Sequence, residues 1–364
     1  MARLKGSLWA LLLYEVADEI RLDEAREVMG AERPERRPEF RRPTPEYVRF
    51  AQPPVVYSGP AVQLDTGDRW TSVVKFYNYG VVSVALELPF ECNWDELTQL
   101  SSRWIGSNEI ERQTADIARA QVARIGKALI KPFSEVTSED YYAVHVREAC
   151  ADDGHVLTAR ELLAQHGDRV SQIVRGESVE LAESETQEIL RECVSYYPTD
   201  LLVVAWMAAF LYDTPEGAAP ILQLLEYANT QLVEFRYYDD LLTKVLASVY
   251  RSLERRRGIL RRWKIGAEAE RLNQIRLDVI ELTERVDNSI KFLSDMFYAR
   301  AYRLAARKIG VPDYRDLVDE KLKTAGELYQ SMVEEFHQGR AFLLEAMVVA
   351  ILIIELVFLF RGIP

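Results

Sequence analysis

The sequence predicts an α+β domain followed by a long helical region, and three observations support this prediction. The first half contains short runs rich in Val, Tyr and Phe with glycines between them, which is typical of strands. Beyond Pro215 apolar residues recur three and four positions apart, which indicates helices. The printed sequence closes on RAFLLEAMVVAILIIELVFLFRGIP. We therefore predict an α+β domain at 1–214, a helical coiled coil at 215–341 and a transmembrane helix at 342–360.

The α+β domain is predicted from its apolar runs. Residues 8–16 predict a strand, and the short helix LDEAREVMG follows and ends at Gly30. PPVVYSGPAVQL and TSVVKFYNYGVVSVALELP predict two or three antiparallel strands, and a helical stretch begins at Trp94. EDYYAVHVREA and DLLVVAWMAAFLYD each predict one more strand, with helical segments between them. This order of elements is typical of a ferredoxin-like antiparallel sheet with helices.

One connection inside this domain has a distinct composition. Residues 33–54 hold six prolines and six arginines among glutamates and aromatic residues. Such a composition favours an extended, solvated chain over packed structure. The connection is interpreted as a linker, with a docking loop for a partner as the alternative.

The helical region is predicted from heptad spacing. Nine apolar residues fill nearly every core position of its first helix: Ile221, Leu225, Ala228, Leu232, Phe235, Leu242, Leu246, Val249 and Leu253. A second series follows from Leu272 to Met296, and a third begins after Gly310 and Pro312. Helices with this pattern pair along their apolar seams, so we predict a long antiparallel coiled coil.

Asp239 is the one polar residue in the seam of the first helix. Arg236 lies three residues earlier, so an internal ion pair is the simplest interpretation. Specification of the coiled-coil register is the next, and a catalytic carboxylate remains an alternative.

The apolar segment at 342–360 has 19 residues, close to the roughly 20 that cross a bilayer core. Its Leu, Ile, Val and Phe residues favour insertion by about 0.3 to 0.6 kcal/mol each, which offsets the cost of Glu345 and Glu355. Glu355 lies deep in the segment, so it would be protonated, face another helix or sit in a water-filled cleft, and self-association through this helix is expected. A buried core helix of a soluble protein is the alternative.

Composition narrows the class of function. The net charge of −12 argues against a DNA partner, because DNA would be repelled outside a local basic patch. The three cysteines are widely spaced, which predicts neither a disulfide framework nor a thiolate metal site. The sequence holds no phosphate loop, nucleophile elbow, HExxH helix or dinucleotide glycine pattern. We therefore expect no catalytic residue, no cofactor and no bound metal.

The strongest basic cluster lies in RSLERRRGILRRWK. We single out six of its cations: Arg255, Arg256, Arg257, Arg261, Arg262 and Lys264. A solvated helix end is one interpretation, because cations complement the negative end of the helix dipole. Anionic lipid headgroups and RNA phosphates are the two others.

Two stretches resemble a known family. Arg340 followed by LLEAMVVAILIIELVF resembles the closing motif of the "required for meiotic nuclear division" family, in which Arg precedes Leu-Glu, an apolar run and a second Glu. KFYNYGVVSVALEL is similar to that family's Tyr-Gly-Val-Val hairpin, whereas Ala346 departs from the Trp often found after the first Glu. The resemblance implies a membrane-associated protein without an assigned enzymatic activity. The family's mitochondrial members are implicated in organellar translation, and the lack of a presequence here favours a bacterial relative.

We therefore expect a non-enzymatic scaffold or tether, anchored by its tail with the body on the cytoplasmic side. It would form homo-oligomers and bind a protein or ribonucleoprotein partner. One alternative is a membrane enzyme or transport regulator working through Glu355 and the arginine cluster. The other is a soluble oligomer with a buried C-terminal helix.

Overall fold

The structure is a computed structural model and describes residues 3–30, 53–64, 67–150, 154–254, 269–281 and 296–361. The chain divides into two compact units. The first comprises Met1–Tyr237 and Val286–Tyr314, and the second comprises Tyr238–Arg285 and Arg315–Pro364.

Nine strands of the described residues form a mixed sheet in the first unit. They are β1 (Leu4–Ile20), β2 (Val55–Ser58), β3 (Val62–Gln63), β4 (Arg69–Phe76), β5 (Val81–Cys92), β6 (Leu129–Ala149), β7 (Cys193–Val194), β8 (Leu201–Val204) and β9 (Ala208–Tyr212). Their order is β2-β4-β5-β1-β6-β9-β8-β7, and β3 pairs with β4. The β6–β9 pair is parallel, and the other neighbouring pairs are antiparallel.

The two longest strands, β1 and β6, lie beside each other at the centre of the sheet. Their register runs from Leu4 opposite Ala149 to Ile20 opposite Leu129. The run LWALLLYEV in β1 is almost wholly buried, as expected for a strand covered on both faces. Gly6 permits this close pairing, because a Cβ there would lie 2.0 Å from the carbonyl oxygen of His145.

Helices connect the strands and continue beyond the sheet. They are α1 (Leu22–Met29), α2 (Trp94–Trp104), α3 (Asn108–Arg124), α4 (Ala159–Arg175), α5 (Glu183–Leu190), α6 (Pro215–Glu254), α7 (Met296–Ile309) and α8 (Val311–Arg361), with a 3₁₀ turn at Gly126–Ala128. Residues 269–281 are also helical. Asn93 and Glu96 form a capping box at the start of α2, and Thr158 and Glu161 form one at the start of α4.

Helices pack on both faces of the sheet. On one face, Leu8 and Leu12 of β1 join a large core with α2, α3 and α4. Trp70 and Trp104 meet edge to face in that core, with ring centroids 5.7 Å apart. On the other face lies the first part of α6, where Thr230 hydrogen-bonds the Tyr79 hydroxyl at 3.0 Å.

The predicted ferredoxin-like sheet is wrong, because the described strands form a larger, mixed sheet. One cause is DLLVVAWMAAFLYD, which folds as the hairpin β8–β9 and not as one strand. The Ala205 N–H donates to the carbonyl oxygen of Ala208 at 2.9 Å and closes a turn that contains neither Gly nor Pro. The second strand of that hairpin then pairs in parallel with β6.

The predicted long coiled coil is also wrong. The residues at the predicted seam positions in the first part of α6, such as Ile221, Leu225 and Leu232, are indeed buried. However, Glu226 and Asn229 between them are equally buried, at 1% exposure each. A helix that is enclosed on most sides has buried residues at every heptad position. This part of α6 packs on the sheet and also contacts α7, where the Tyr302 hydroxyl donates to Gln231 Oε1.

The second unit is built from helical segments around a small core. Its buried members are Val245, Leu246, Val249, Ala269, Leu272, Ala325 and Met332. They come from α6, from residues 269–281 and from α8. The predicted second helical series lies partly at 282–295, outside the described residues.

The predicted transmembrane tail anchor at 342–360 is wrong as well. Among the described residues, no helix is long and apolar enough to cross a membrane. Glu345 and Glu355 leave nine uninterrupted apolar residues between them, 346–354. Nine residues rise about 14 Å along a helix, against a bilayer core of about 30 Å. The predicted single-pass location with a cytoplasmic body is overturned by the same finding.

Candidate functional sites

A cleft in the first unit lies between the sheet and the start of α6. Its volume is about 450 Å³, within the range of small-molecule sites in proteins. Strands β1, β2, β4, β5 and β6 supply one wall, and the first turns of α6 supply the other. Most of the lining is apolar, including Leu11, Val56 and Leu222.

A buried ion pair lies in this cleft. The Lys75 ammonium group on β4 contacts the Glu226 carboxylate on α6 through Oε2. The Glu226 side chain is 2% exposed and that of Lys75 is 21% exposed. The ion pair therefore joins the sheet to α6 and neutralises a carboxylate that would be costly to bury alone.

Two basic side chains of β6 lie on the same wall. His145 Nε2–H donates to the carbonyl oxygen of Asp213 at 2.9 Å. Burial lowers the pKa of His145, so its imidazole is neutral at neutral pH. The Arg147 guanidinium is exposed and donates to the carbonyl oxygen of Gly6 at 3.4 Å.

The N-terminus of α6 is already capped. The Thr214 side chain accepts a hydrogen bond from the Gly217 N–H at 3.3 Å. The Asp213 carboxylate accepts one from the Thr214 N–H at 2.7 Å and lies so close that a Cβ on Gly217 would be 2.0 Å from Oδ2. A carboxylate thus occupies the position that an anionic ligand would take at this helix end.

Buried polar groups continue from the cleft along α6. Burial, and next the charge of Glu226, raise the pKa of Tyr77 well above its usual value. Burial also raises the pKa of Tyr79, whose hydroxyl is hydrogen-bonded to Thr230. Glu15 on β1 is 2% exposed. Its pKa is raised well above 4.5 by burial and by the neighbouring charge of Asp18.

The predicted seam residues each have a partner on another element. Lys321 Nζ on α8 lies 2.5 Å from Asp239 Oδ1, and this side-chain pair is partly buried. Arg236 pairs with Glu139 on β6, and its guanidinium lies 5.9 Å from the ring centroid of Tyr314. A register role for Asp239 stays a prediction.

The predicted basic cluster, Arg255, Arg256, Arg257, Arg261, Arg262 and Lys264, lies outside the described residues. Its predicted contacts with lipid or RNA therefore stay predictions. Within the described ranges, no group of three or more His, Cys, Asp or Glu side chains is placed to hold a metal ion.

A second candidate site is the apolar part of α8 at residues 344–357, here called the apolar segment. Glu345 and Glu355 are exposed within it. Ten large apolar side chains are 47% to 57% exposed: Leu344, Met347, Val348, Val349, Ile351, Leu352, Ile353, Ile354, Leu356 and Val357. They follow one another along four turns of helix, so they occupy every face of it. Contiguous apolar surface of this kind marks an interaction site.

The cleft was missed by reasoning from the sequence. Glu226 falls between the predicted seam positions of α6, and nothing in the heptad pattern singles it out. Lys75 lies in KFYNYG, which predicts part of a strand hairpin and gives no sign of an ion pair. The available signal was the run of polar residues in EYANTQ, which interrupts an otherwise apolar helix opposite an apolar sheet.

The comparisons with known proteins give a family but no activity. A curated relative, described as "Uncharacterized protein MJ0711" from Methanocaldococcus jannaschii, is 20% identical over 188 residues. That alignment covers 52% of this chain and 58% of the relative, so the chain spans a little over half of the relative's length. No solved structure matches the chain. Neither matching description names the "required for meiotic nuclear division" family, so that resemblance stays a prediction.

A family model described as "Uncharacterized protein MJ0711, N-terminal domain" matches residues 5–219. This stretch is more than half of the 364 residues and runs from β1 to the first turns of α6. It contains the sheet wall of the cleft and Lys75, His145 and Arg147. The chain therefore belongs to the family of the MJ0711 N-terminal domain.

Proposed function

We propose that this protein is a non-enzymatic scaffold that assembles with further copies of itself through the apolar segment of α8. The observation that supports the proposal is the exposure of ten large apolar side chains around the whole helix. An apolar surface of this extent is unfavourable in water and favours association.

The energy available is sufficient for a stable assembly. Burying a large aliphatic side chain fully is worth about 1.5 to 3 kcal/mol. Because each of the ten is about half exposed, covering them would contribute roughly 10 kcal/mol per copy, before the cost of association. The segment is thus comparable in strength to a specific protein interface.

The distribution of these side chains favours more than two copies. A helix that pairs with one neighbour needs an apolar stripe about 100° wide. Here Ile351, Leu352, Ile353 and Ile354 are all exposed and point in successive directions around the helix. Several neighbours are needed to cover all of them, so a bundle of at least three copies is expected.

The partner of the assembled scaffold is proposed to be a protein or a ribonucleoprotein. The acidic net charge of −12 disfavours DNA. The resemblance to the "required for meiotic nuclear division" family, whose mitochondrial members are implicated in translation, supports a partner of this kind.

The test is the molar mass of the full chain in solution by light scattering after size exclusion. The parent chain should elute with the mass of three or more copies. Ile351→Glu with Leu352→Glu should elute as a smaller species with unchanged circular dichroism. Leu317→Glu, at another exposed apolar position of α8, is the matched control and should keep the parent mass.

Three results would contradict the proposal. One is a monomeric parent chain, and another is an Ile351→Glu, Leu352→Glu variant that keeps the parent mass. The third is recovery of the parent chain with phosphatidylcholine vesicles in a flotation gradient and not as a free assembly, which would make lipid the occupant.

A further inference from the structure

We propose that an exposed surface along α7 binds an acidic segment of a partner protein. The α7 surface is formed by exposed aromatic residues, one methionine and two arginines: Tyr196, Tyr197, Trp206, Met207, Arg300 and Arg303. All six lie in the first unit, whereas the apolar segment belongs to the second. The surface gives the proposed scaffold a place for its protein partner and is independent of assembly through the apolar segment.

One face of α7 carries arginines, and the opposite face is buried. Arg300, Arg303 and Arg307 are exposed and spaced three and four residues apart, so they share one side of the helix. On the other side, Tyr302 is 3% exposed and Ile309 is 1% exposed. The buried side holds α7 in place, and the arginines face solvent.

The positive charge of this face is concentrated at two residues. Within the part of the chain that the structure describes, neither Arg300 nor Arg303 forms an ion pair. By contrast, Arg307 pairs with Glu192 at 2.7 Å, and Lys308 lies 3.9 Å from the same carboxylate. Carboxylates of a partner would complement the charge of Arg300 and Arg303.

Two tyrosines lie at the N-terminal end of the α7 surface. The Tyr196 ring meets Phe297 of α7 edge to face, with ring centroids 5.5 Å apart. The buried Asp200 carboxylate accepts hydrogen bonds from the backbone N–H groups of Tyr196 and Tyr197, at 2.6 and 2.9 Å. The tyrosines are nevertheless 47% and 45% exposed. They are therefore held in position before a partner arrives, which reduces the entropy cost of binding.

Trp206 and Met207 lie at the other end of the surface, in the turn between β8 and β9. The Trp206 ring lies against Gly310, where a Cβ would be 2.9 Å from Cζ3, and Trp206 is still 54% exposed. The Asp313 carboxylate lies 3.8 Å from the same Cβ position. Phe297 and Gly310 mark the two ends, about 20 Å apart along the helix. We therefore expect the partner's acids at the arginines and its apolar side chains at Trp206.

The composition of the surface favours a protein over a nucleic acid. Trp, Tyr, Met and Arg are enriched at protein interfaces, and Trp, Tyr and Arg often contribute most of the binding energy. The net charge of −12 repels a long polyanion such as RNA, whereas a segment with a few carboxylates is repelled less.

Three labelled probes test this assignment by fluorescence anisotropy with the full chain. One peptide repeats Asp-Glu-Leu-Phe, and a matched neutral peptide of the same length repeats Asn-Gln-Leu-Phe. The third probe is a single-stranded oligouridylate. The acidic peptide should bind at least about tenfold more tightly than either of the others. Failure of the acidic peptide to bind, or tighter binding of the neutral peptide or the RNA, would overturn the proposal.

Variants locate the binding. Arg300→Glu with Arg303→Glu should weaken binding of the acidic peptide at least about tenfold, because two attractions become repulsions. Trp206→Ala should weaken it about fivefold. Arg112→Glu with Arg160→Glu, at exposed positions of α3 and α4, is the matched control with the same change in net charge and should bind as the parent does. Equal weakening by the two charge reversals would refute the site.

Two measurements separate this proposal from assembly through the apolar segment. Ile351→Glu with Leu352→Glu should retain binding of the acidic peptide, whatever its mass in solution. Arg300→Glu with Arg303→Glu should keep the molar mass of the parent chain. A smaller mass would make a second copy of this chain the occupant of the α7 surface and would overturn the proposal.

Discussion

The ion pair between Lys75 and Glu226 gives the sharpest test of how α6 is held on the sheet. Replacing Lys75 with Met removes the cation and leaves a carboxylate that is 2% exposed. Breaking a buried pair in this way costs about 3 to 5 kcal/mol, because the remaining charge is uncompensated. The Lys75 side chain is 21% exposed, so solvent partly screens the pair and the expected loss of stability is about 3 kcal/mol.

The free energy of unfolding is measured by urea denaturation followed by circular dichroism. Arg191→Met is the matched control, because Arg191 and Glu188 form an exposed pair at 3.9 Å. This control should change stability by less than about 1 kcal/mol. Adding Glu226→Gln to Lys75→Met should recover at least half of the loss, since no charge is then buried.

The reasoning would be refuted if Lys75→Met lost no more stability than Arg191→Met. It would also be refuted if the double variant were less stable than Lys75→Met alone. Either result would mean that the Glu226 carboxylate is reached by water or carries no charge in the folded chain.

Two further predictions concern the turn and the acid next to this interface. Gly80 has φ +93, and a Cβ there would lie 1.7 Å from the Ala17 carbonyl oxygen, so Gly80→Ala should cost about 2 kcal/mol or more in urea unfolding. Gly126→Ala, with open space around it, should be near neutral, and equal losses would contradict this account. Glu15 has a folded pKa well above 4.5, so the folded chain retains a proton that the unfolded chain releases. Stability should therefore fall as the pH rises from 4.5 toward the folded pKa, and Glu15→Gln should remove that fall and be more stable at neutral pH. If the stability of the parent and of Glu15→Gln changed with pH in the same way, this role of Glu15 would be refuted.

Strands and element ends were predictable from the sequence where a local run of apolar residues or a glycine determines them. The apolar run of β1, the glycines around the β4–β5 hairpin and the signals at Gly30 and Gly310 all have local physical causes. The β8–β9 hairpin was not predictable in this way. Its turn at Trp206 is formed by residues without turn preference and is closed by a single backbone hydrogen bond.

The role of α6 was not predictable from one sequence. Heptad spacing predicts which positions of a helix are apolar, but it does not predict whether a sheet or another helix packs against those positions. The polar residues Glu226 and Thr230 have the composition of a solvated helix face, but they are buried against Lys75 of β4 and Tyr79 of the β4–β5 turn. This burial depends on contacts between residues about 150 positions apart in the sequence. The cleft is therefore visible in the three-dimensional structure and not in the sequence pattern.

The apolar segment was recognised in the sequence, but its interpretation was wrong. Hydropathy alone does not distinguish a helix that crosses a membrane from one that packs against other helices. In a membrane helix Glu345 and Glu355 would only add to the cost of insertion. They also mark the two ends of an apolar stretch of nine residues. Such a stretch is long enough for a helical bundle of more than two turns.

The most direct test of the proposed scaffold is sedimentation velocity of the unmodified full chain over a wide range of concentrations in detergent-free buffer. The account predicts one species with the mass of three or more copies, which persists on dilution because roughly 10 kcal/mol of apolar burial per copy opposes dissociation. A monomer at every concentration would contradict it, since the apolar segment would then remain uncovered in water.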